Sequence, residues 1–514
     1  MFQKHNARIL LSVFVILTIL LVSCGAPADQ TTPTSGVPGT GAENGAGVET
    51  PSATDAGAAG GEATMAAPTE PAGGAETPAE GAETPAEGAE TPAEGAGEGA
   101  GAGGTGWVPE QLGGTLSVLA IWGGEEQDNF MAMIQPFIEQ TGVDVQYEST
   151  RDLAAVLNTR ISGGNPPDVA GLPNPGQMVA LARSGALQPL DDVLDQEYMA
   201  ANFDPGFTEL ASVDGTMYGI FTKAAVKSLV WYNPQQFEAN GYEIPTNWDE
   251  MNALEQQMIE DGYAPWCIGI DGGAGSGWPG TDWVEDIFLR INGPDVYDQW
   301  WQHEIPWTDP AVKSAFETWG EIVTDPSMAF GGQQYVIATN FGQAFVPMFE
   351  DPPSCMMHRQ ASFITTFFME QFPDLQAGTD YAFFTFPPID EQFGNPLLVA
   401  GDLFGMFNDT PQARSFMQYM TTAEAQAIWA ERGGFISANR SMDPSIYPDE
   451  ISQQIGQMIV EADAVRFDAS DLMPEGVSSA FSQAVLQYVS SPDQLDAILQ
   501  QTESVAEGEY QQTQ

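Results

Sequence analysis

The chain has 514 residues, with 71 Asp+Glu against 14 Lys+Arg and a formal net charge of −57. A surface this anionic excludes nucleic acid and anionic lipid headgroups as partners held by electrostatics. A content of 43% hydrophobic and 10% aromatic residues excludes a wholly disordered chain, and the length allows about two to four domains.

Lys4 and Arg8 precede an apolar run from Ile9 to Val22. That run is shorter than the ~20 residues of a spanning helix and suits the apolar core of an export signal. It ends in Leu21-Val22-Ser23-Cys24-Gly25, which resembles a bacterial lipobox, so residues 1–23 are expected to be a lipoprotein signal peptide and Cys24 the lipidated residue. An ordinary signal peptide or a short membrane anchor is the alternative. Export places the other cysteines, Cys267 and Cys355, in an oxidising compartment, where they are expected to pair; two buried thiols are the alternative.

Residues 24–113 read as a disordered Gly/Ala/Glu/Pro-rich tether. From Gly25 to Gly113 there is no Lys or Arg but fourteen acids, and Gly-Ala-Glu-Thr-Pro-Ala-Glu repeats from Gly74 to Glu94. Proline in every repeat forbids a continuous helix. The remaining 57 acids make the folded body acidic in its own right.

The body opens with a strand-like run, Thr115–Trp122, a turn at Gly123–Glu126 and a helical pattern over Phe130–Gln140. Val143–Tyr147 alternates as a strand. Helical patterns recur at 152–160, 176–184, 248–261, 281–289, 309–324, 411–419 and 422–430, and strand-like runs at 228–232, 381–386 and 397–406. Strand–helix–strand units with short connections predict an α/β body with a largely parallel sheet.

Several segments, in order, resemble the solute-binding lipoproteins of bacterial carbohydrate ABC importers: Ile161–Val169, Gly185–Asp191, Val230–Asn233 and Ile244–Glu250. Trp266–Ile270, Gly277–Asp286, Ala400–Asp402, Gly433–Ser437 and Arg466–Pro474 look closest to the α-glucoside-binding subfamily. The resemblance spans Gly114 to the C-terminus. It implies a two-lobed, type II periplasmic-binding-protein-like fold with a hinge. It places lobe one at 114–222 plus 387–432 and lobe two at 223–386 plus 433–514. It further implies a saccharide such as maltose, trehalose or sucrose in the cleft, delivery to permease subunits, a monomer outside the cytoplasmic membrane, and no catalysis, cofactor or metal.

Sugars present C–H faces to aromatic rings and hydroxyl rims to charged groups. Trp122, Trp278 and Trp283 stand at Gly- or Pro-rich loops, with core packing as the alternative for each. Trp248, at a helix start, reads as a packing residue. Glu125 or Glu126, Asp168, Asp282 and Asp402 stand at strand ends or in Gly-rich loops, Gly401 beside Asp402, and Arg151 follows the second strand. These are the expected ligand-binding residues. A secreted carbohydrate hydrolase, which needs two acids flanking the scissile bond, and a surface adhesion module are the alternatives.

Overall fold

The computed structural model describes residues 106–462 and 464–513. The expected signal peptide, Cys24 and most of the tether lie outside the described residues. Among the described residues no helix is long and apolar enough to cross a membrane.

Two sheets organise the body. The strands in chain order are β1 (Thr115–Ala120), β2 (Asp144–Ser149), β3 (Val169–Leu172), β4 (Ser212–Val213), β5 (Thr216–Met217), β6 (Gly219–Val226) and β7 (Leu229–Tyr232). They continue as β8 (Ala264–Trp266), β9 (Cys355–Arg359), β10 (Ala382–Thr385), β11 (Leu397–Met406), β12 (Ile436–Ser437) and β13 (Val465–Phe467). The larger sheet runs β12-β6-β11-β3-β1-β2, with β13 on β11; the smaller runs β10-β7-β9-β8; β4 and β5 form a separate hairpin. Each sheet carries one lobe.

The expected parallel sheet is mixed. β1 is parallel to β2 and β3, but β11 is antiparallel to β3 and β6, and in the smaller sheet only β8–β9 is parallel. The reason is connectivity. Strand–helix–strand units build β1 to β3, whereas β11 enters the larger sheet from the other lobe and needs no crossover of its own.

Every residue of β6 is buried, as a central strand covered on both faces demands. Local chemistry fixes the helix starts. Asn247 accepts from the Glu250 amide while Glu250 accepts from Thr246, so Trp248 begins a capped helix and packs on Phe386 at 5.6 Å. The helix expected to stop at Leu289 runs Trp278–Trp301 through a break at Gly293, followed by Pro294.

Cys267 and Cys355 form a disulfide beside β8 and at the start of β9. The last residues assigned to the tether lie on the body. The Trp107 indole donates to Ser415 Oγ (2.9 Å) and stands edge-on to Tyr419 (4.9 Å), and the Leu112 and Gly113 amides donate to the Thr141 carbonyl.

Candidate functional site

Three segments connect the sheets, near Val226–Leu229, Phe386–Leu397 and after Phe467. They meet in backbone hydrogen bonds, Lys227 N to Leu398 O and Asp468 N to Val399 O, both 2.8 Å. Above this junction lies a cavity of about 380 Å³, a size suited to a small organic ligand. The carboxyl ends of β1, β2 and β3 bring Trp122, Arg151 and Asn174 to it; β6 and β11 bring Lys223, Gly401 and Asp402. The opposite wall holds Trp278, Asp282, Phe341 and Phe363, and Asp468, Ser470 and Asp471 complete the floor.

Charge is arranged in two clusters. In the first, Glu126 accepts from Lys223 (3.0 Å) and Arg151 (3.3 Å), and the Trp122 indole donates to Asp402 (3.3 Å). Burial raises the Asp402 pKa above its usual value, and the charge of Glu126 adds to this against Lys223. In the second, Lys227 donates to both oxygens of Asp282 (2.8 and 2.9 Å), pairs with Asp468 (3.0 Å) and lies 5.0 Å from the Trp278 ring centre. Burial pushes the Asp282 carboxyl up to about 7, with the Asp468 charge adding and Lys227 opposing. Burial and the Asp468 charge also push Glu285 and Asp471 well up. Burial acts on Asp468 too, but Lys227 and hydrogen bonds from Glu285 and Ser470 outweigh it and hold Asp468 below the usual range. One ammonium cannot neutralise these four carboxyls, three of them buried and Asp471 half-buried, which is why three of the four are raised toward their protonated forms.

The cavity lining includes seven of the ten expected residues: Trp122, Glu126, Arg151, Trp278, Asp282, Gly401 and Asp402. A side chain at Gly401 would approach the Lys223 carbonyl to 2.8 Å, so this close crossing of β11 over β6 needs glycine.

Glu125, Asp168 and Trp283 lie outside the lining. Glu125 and Glu126 begin the helix Glu125–Thr141, where one residue is a turn of about 100°, and Glu126 is the one directed at the cleft cations. Asp168 precedes β3 and so stands at the amino end of the sheet, away from the cleft. Ser117 donates to it from amide and hydroxyl (2.8 Å each) and Asn408 from its amide (3.0 Å), which leaves it a structural brace between strands. Trp283 is 2% exposed, edge-on to Trp266 at 4.9 Å and under the Arg359 guanidinium at 5.3 Å, in the core of the second lobe.

Sequence reasoning missed Lys223, Lys227, Phe341, Phe363, Asp468 and Asp471. The signal for the two lysines was scarcity: the body has three lysines, and two of them are buried in this cleft. Neither His303 nor His358 lines the cavity.

Among curated proteins, the chain is 42% identical over 379 residues to the osmoprotective compounds-binding protein GgtB of Synechocystis sp., covering 74% of this chain and 89% of that one. It is 37% identical over 394 residues to the alpha-glucosides-binding periplasmic protein AglE of Rhizobium meliloti, covering 75% and 85%. Among solved structures, the bacterial solute receptor AcbH, described as exclusive for β-D-galactopyranose, superposes with a TM-score of 0.67 at 23% identity, over 77% of this chain and 99% of that one. That likeness establishes the two-lobed fold. The profile of the bacterial extracellular solute-binding protein family matches residues 123–427. Matched through more than half its length, with its lobes meeting around a cleft, the chain belongs to the bacterial extracellular solute-binding proteins.

Proposed function

We propose that this protein is the ligand-capturing component of a carbohydrate ABC importer and that it binds an α-glucoside such as maltose, trehalose or sucrose in the cleft. The observation that carries the reading is the make-up of the cleft walls. Trp122, Trp278, Phe341 and Phe363 offer apolar faces, and Glu126, Asp402, Asp282, Lys223 and Arg151 offer charged hydrogen-bonding groups between them. Stacking with charge-assisted bonds is how a polyhydroxy ligand is held. Asn174, Gln177, Ser478 and Ser479 extend the polar lining.

The name of AglE supports this ligand class, and that of GgtB leaves open whether the natural ligand is nutrient or osmolyte. A quaternary ammonium osmolyte would meet the ammonium of Lys227 beside Trp278 and that of Lys223 beside Trp122 and Phe363, and like-charge repulsion favours an uncharged ligand. The cleft holds its ligand without cleaving it: Glu126 and Asp282 are each committed to cations.

The ligand-binding set comprises Trp122, Glu126, Arg151, Lys223, Trp278, Asp282, Gly401 and Asp402. The protein works as a monomer outside the cytoplasmic membrane, anchored through lipid on Cys24, and its closed lobes dock on the permease subunits. Calorimetry with maltose, trehalose and sucrose tests this reading. Saturable binding with the sugars recovered intact is expected; cleavage, or binding of no saccharide at all, overturns it. A ligand at about 100 Kd adds roughly 2.7 kcal/mol to stability, which a thermal shift reads independently.

A further inference from the structure

The two walls of the cleft touch through cations and rings. On the larger-sheet side Lys223 and Arg151 share one counterion, Glu126. Across the gap, Trp278, Phe341 and Phe363 form an aromatic patch, with Trp278 at 4.8 Å from Phe341 and 6.1 Å from Phe363. Trp278 and Phe341 belong to the other lobe: the Phe341 amide donates to the Asp271 carbonyl, and Trp278 starts the helix that carries Trp283 into that lobe's core. Phe363 stands at the crossing itself, next to Ser362, whose amide donates to the Val226 carbonyl at the end of β6. The Lys223 ammonium lies 5.7 Å from the Phe363 ring centre, and the Arg151 guanidinium 5.7 Å from that of Phe341. Among the described residues Glu126 is the one carboxylate within 4.0 Å of either cation, so Arg151 keeps its own-wall partner while meeting Phe341 on the far wall.

We propose that the Arg151–Phe341 contact is a closing contact of the cleft, with Phe341 as a positioning residue that draws the Glu126 cluster onto the opposite wall. The inference rests on the binding-protein reading, in which the lobes close. Its consequence is a closure that salt hardly weakens. An ion pair remade through solvent at each closure would be screened over about 3 Å at 1 M salt. A ring quadrupole acts at contact distance and gains when the contact is dry. Neither cation must leave its carboxylate to reach a ring, so opening exposes no unpaired charge.

The test uses the full chain with Cys24→Ser and spin labels on Gln135→Cys and Gln256→Cys, both exposed and on opposite lobes. Without ligand, Phe341→Leu should shift the inter-label distance distribution outward, and further than Phe363→Leu, while the unfolding midpoints stay close to the parent's. A contact of this strength corresponds to a shift of about 2- to 30-fold in the open–closed equilibrium. In a double-mutant cycle, Phe341→Leu with Arg151→Met should show at least about 2-fold coupling in that equilibrium. The parent's inter-label distribution should stay the same between about 0.1 and about 2 M KCl. An unmoved distribution in Phe341→Leu, or one moved no further than in Phe363→Leu, overturns the proposal and leaves the rings as ligand-stacking groups only. Additive effects in the cycle, or a parent that opens in salt, also overturn it. Because these readouts need no ligand, they decide closure even if every saccharide in the calorimetric panel fails to bind.

Discussion

The two charge clusters of the cleft solve opposite problems. Beside β1 and β2, one carboxylate, Glu126, serves two cations. At the junction of the lobes, one ammonium, Lys227, pairs with Asp282 and Asp468 while Glu285 and Asp471 stand close by. The first cluster has N–H donors to spare, on the open side of the cavity, where Arg151 is 41% exposed. The second is mostly buried and short of positive charge, so Asp282, Glu285 and Asp471 are pushed toward their protonated forms while Asp468 is held below the usual range. Donor surplus suits contact with ligand hydroxyls; a charge deficit tied to three chain crossings suits a fixed hinge. Position relative to the crossings, more than residue type, separates the two roles.

The comparison can be broken most easily at Lys227. Lys227→Met leaves the buried carboxyls without a cation and should destabilise the protein by about 3–5 kcal/mol in denaturant titration. A loss below about 1 kcal/mol would show that protonation alone sustains the junction. Next in size is the pH response. Asp282 and Glu255 are both raised by burial to about 7, above their unfolded values of 3.8 and 4.5. The folded state therefore binds more protons than the unfolded chain up to that pH, and their contribution is lost as pH rises through it. His358, lowered by burial to about 4 from 6.5, acts in the opposite sense below 6.5. From about pH 6.5 to about 8, stability should fall with rising pH, by at most about 1.4 kcal/mol per unit for each group. Asp282→Asn should flatten that slope.

At the ligand end, Asp402→Asn should weaken saccharide binding by roughly 10-fold in calorimetry, about 1.4 kcal/mol. Arg151→Met should cost less than about 1 kcal/mol of stability, because that partner is exposed. The smallest effects belong to residues the cleft leaves out. Glu125→Gln and Asp168→Asn should leave affinity within about 2-fold of the parent, Asp168→Asn costing stability instead.

Much of the fold was legible because periodicity and capping are local. Thr115–Ala120, Trp248–Glu260 and Leu397–Met406 coincide closely with the patterns read from sequence. Sheet direction was not, because the direction of β11 depends on which lobe the chain comes from. The site was legible where a motif or glycine-rich turn sits at the carboxyl end of a strand, as at Trp122, Trp278 and Gly401-Asp402. Asp168 shows the limit: a Pro-Asp before a strand resembles one after it in composition, yet the two lie at opposite ends of the sheet. Lys223 and Lys227 were hidden inside and just beyond a buried strand, where charged residues are rare unless paired, and their partners are far away in sequence. The helix Glu475–Ser490, which brings Ser478 and Ser479 to the cavity, is absent from the helical patterns read from sequence, and its start is rich in serine.

The seat of Trp107 sets a load path. Tension arriving along the preceding chain enters the body at the Ser415, Tyr419 and Thr141 contacts, on the helices Glu125–Thr141 and Pro411–Met420. Those helices lie on the larger-sheet side of the cleft, the first of them also touching the helix Ile364–Gln371. A lipid anchor of the kind proposed at Cys24 would therefore load one shell of the clam first.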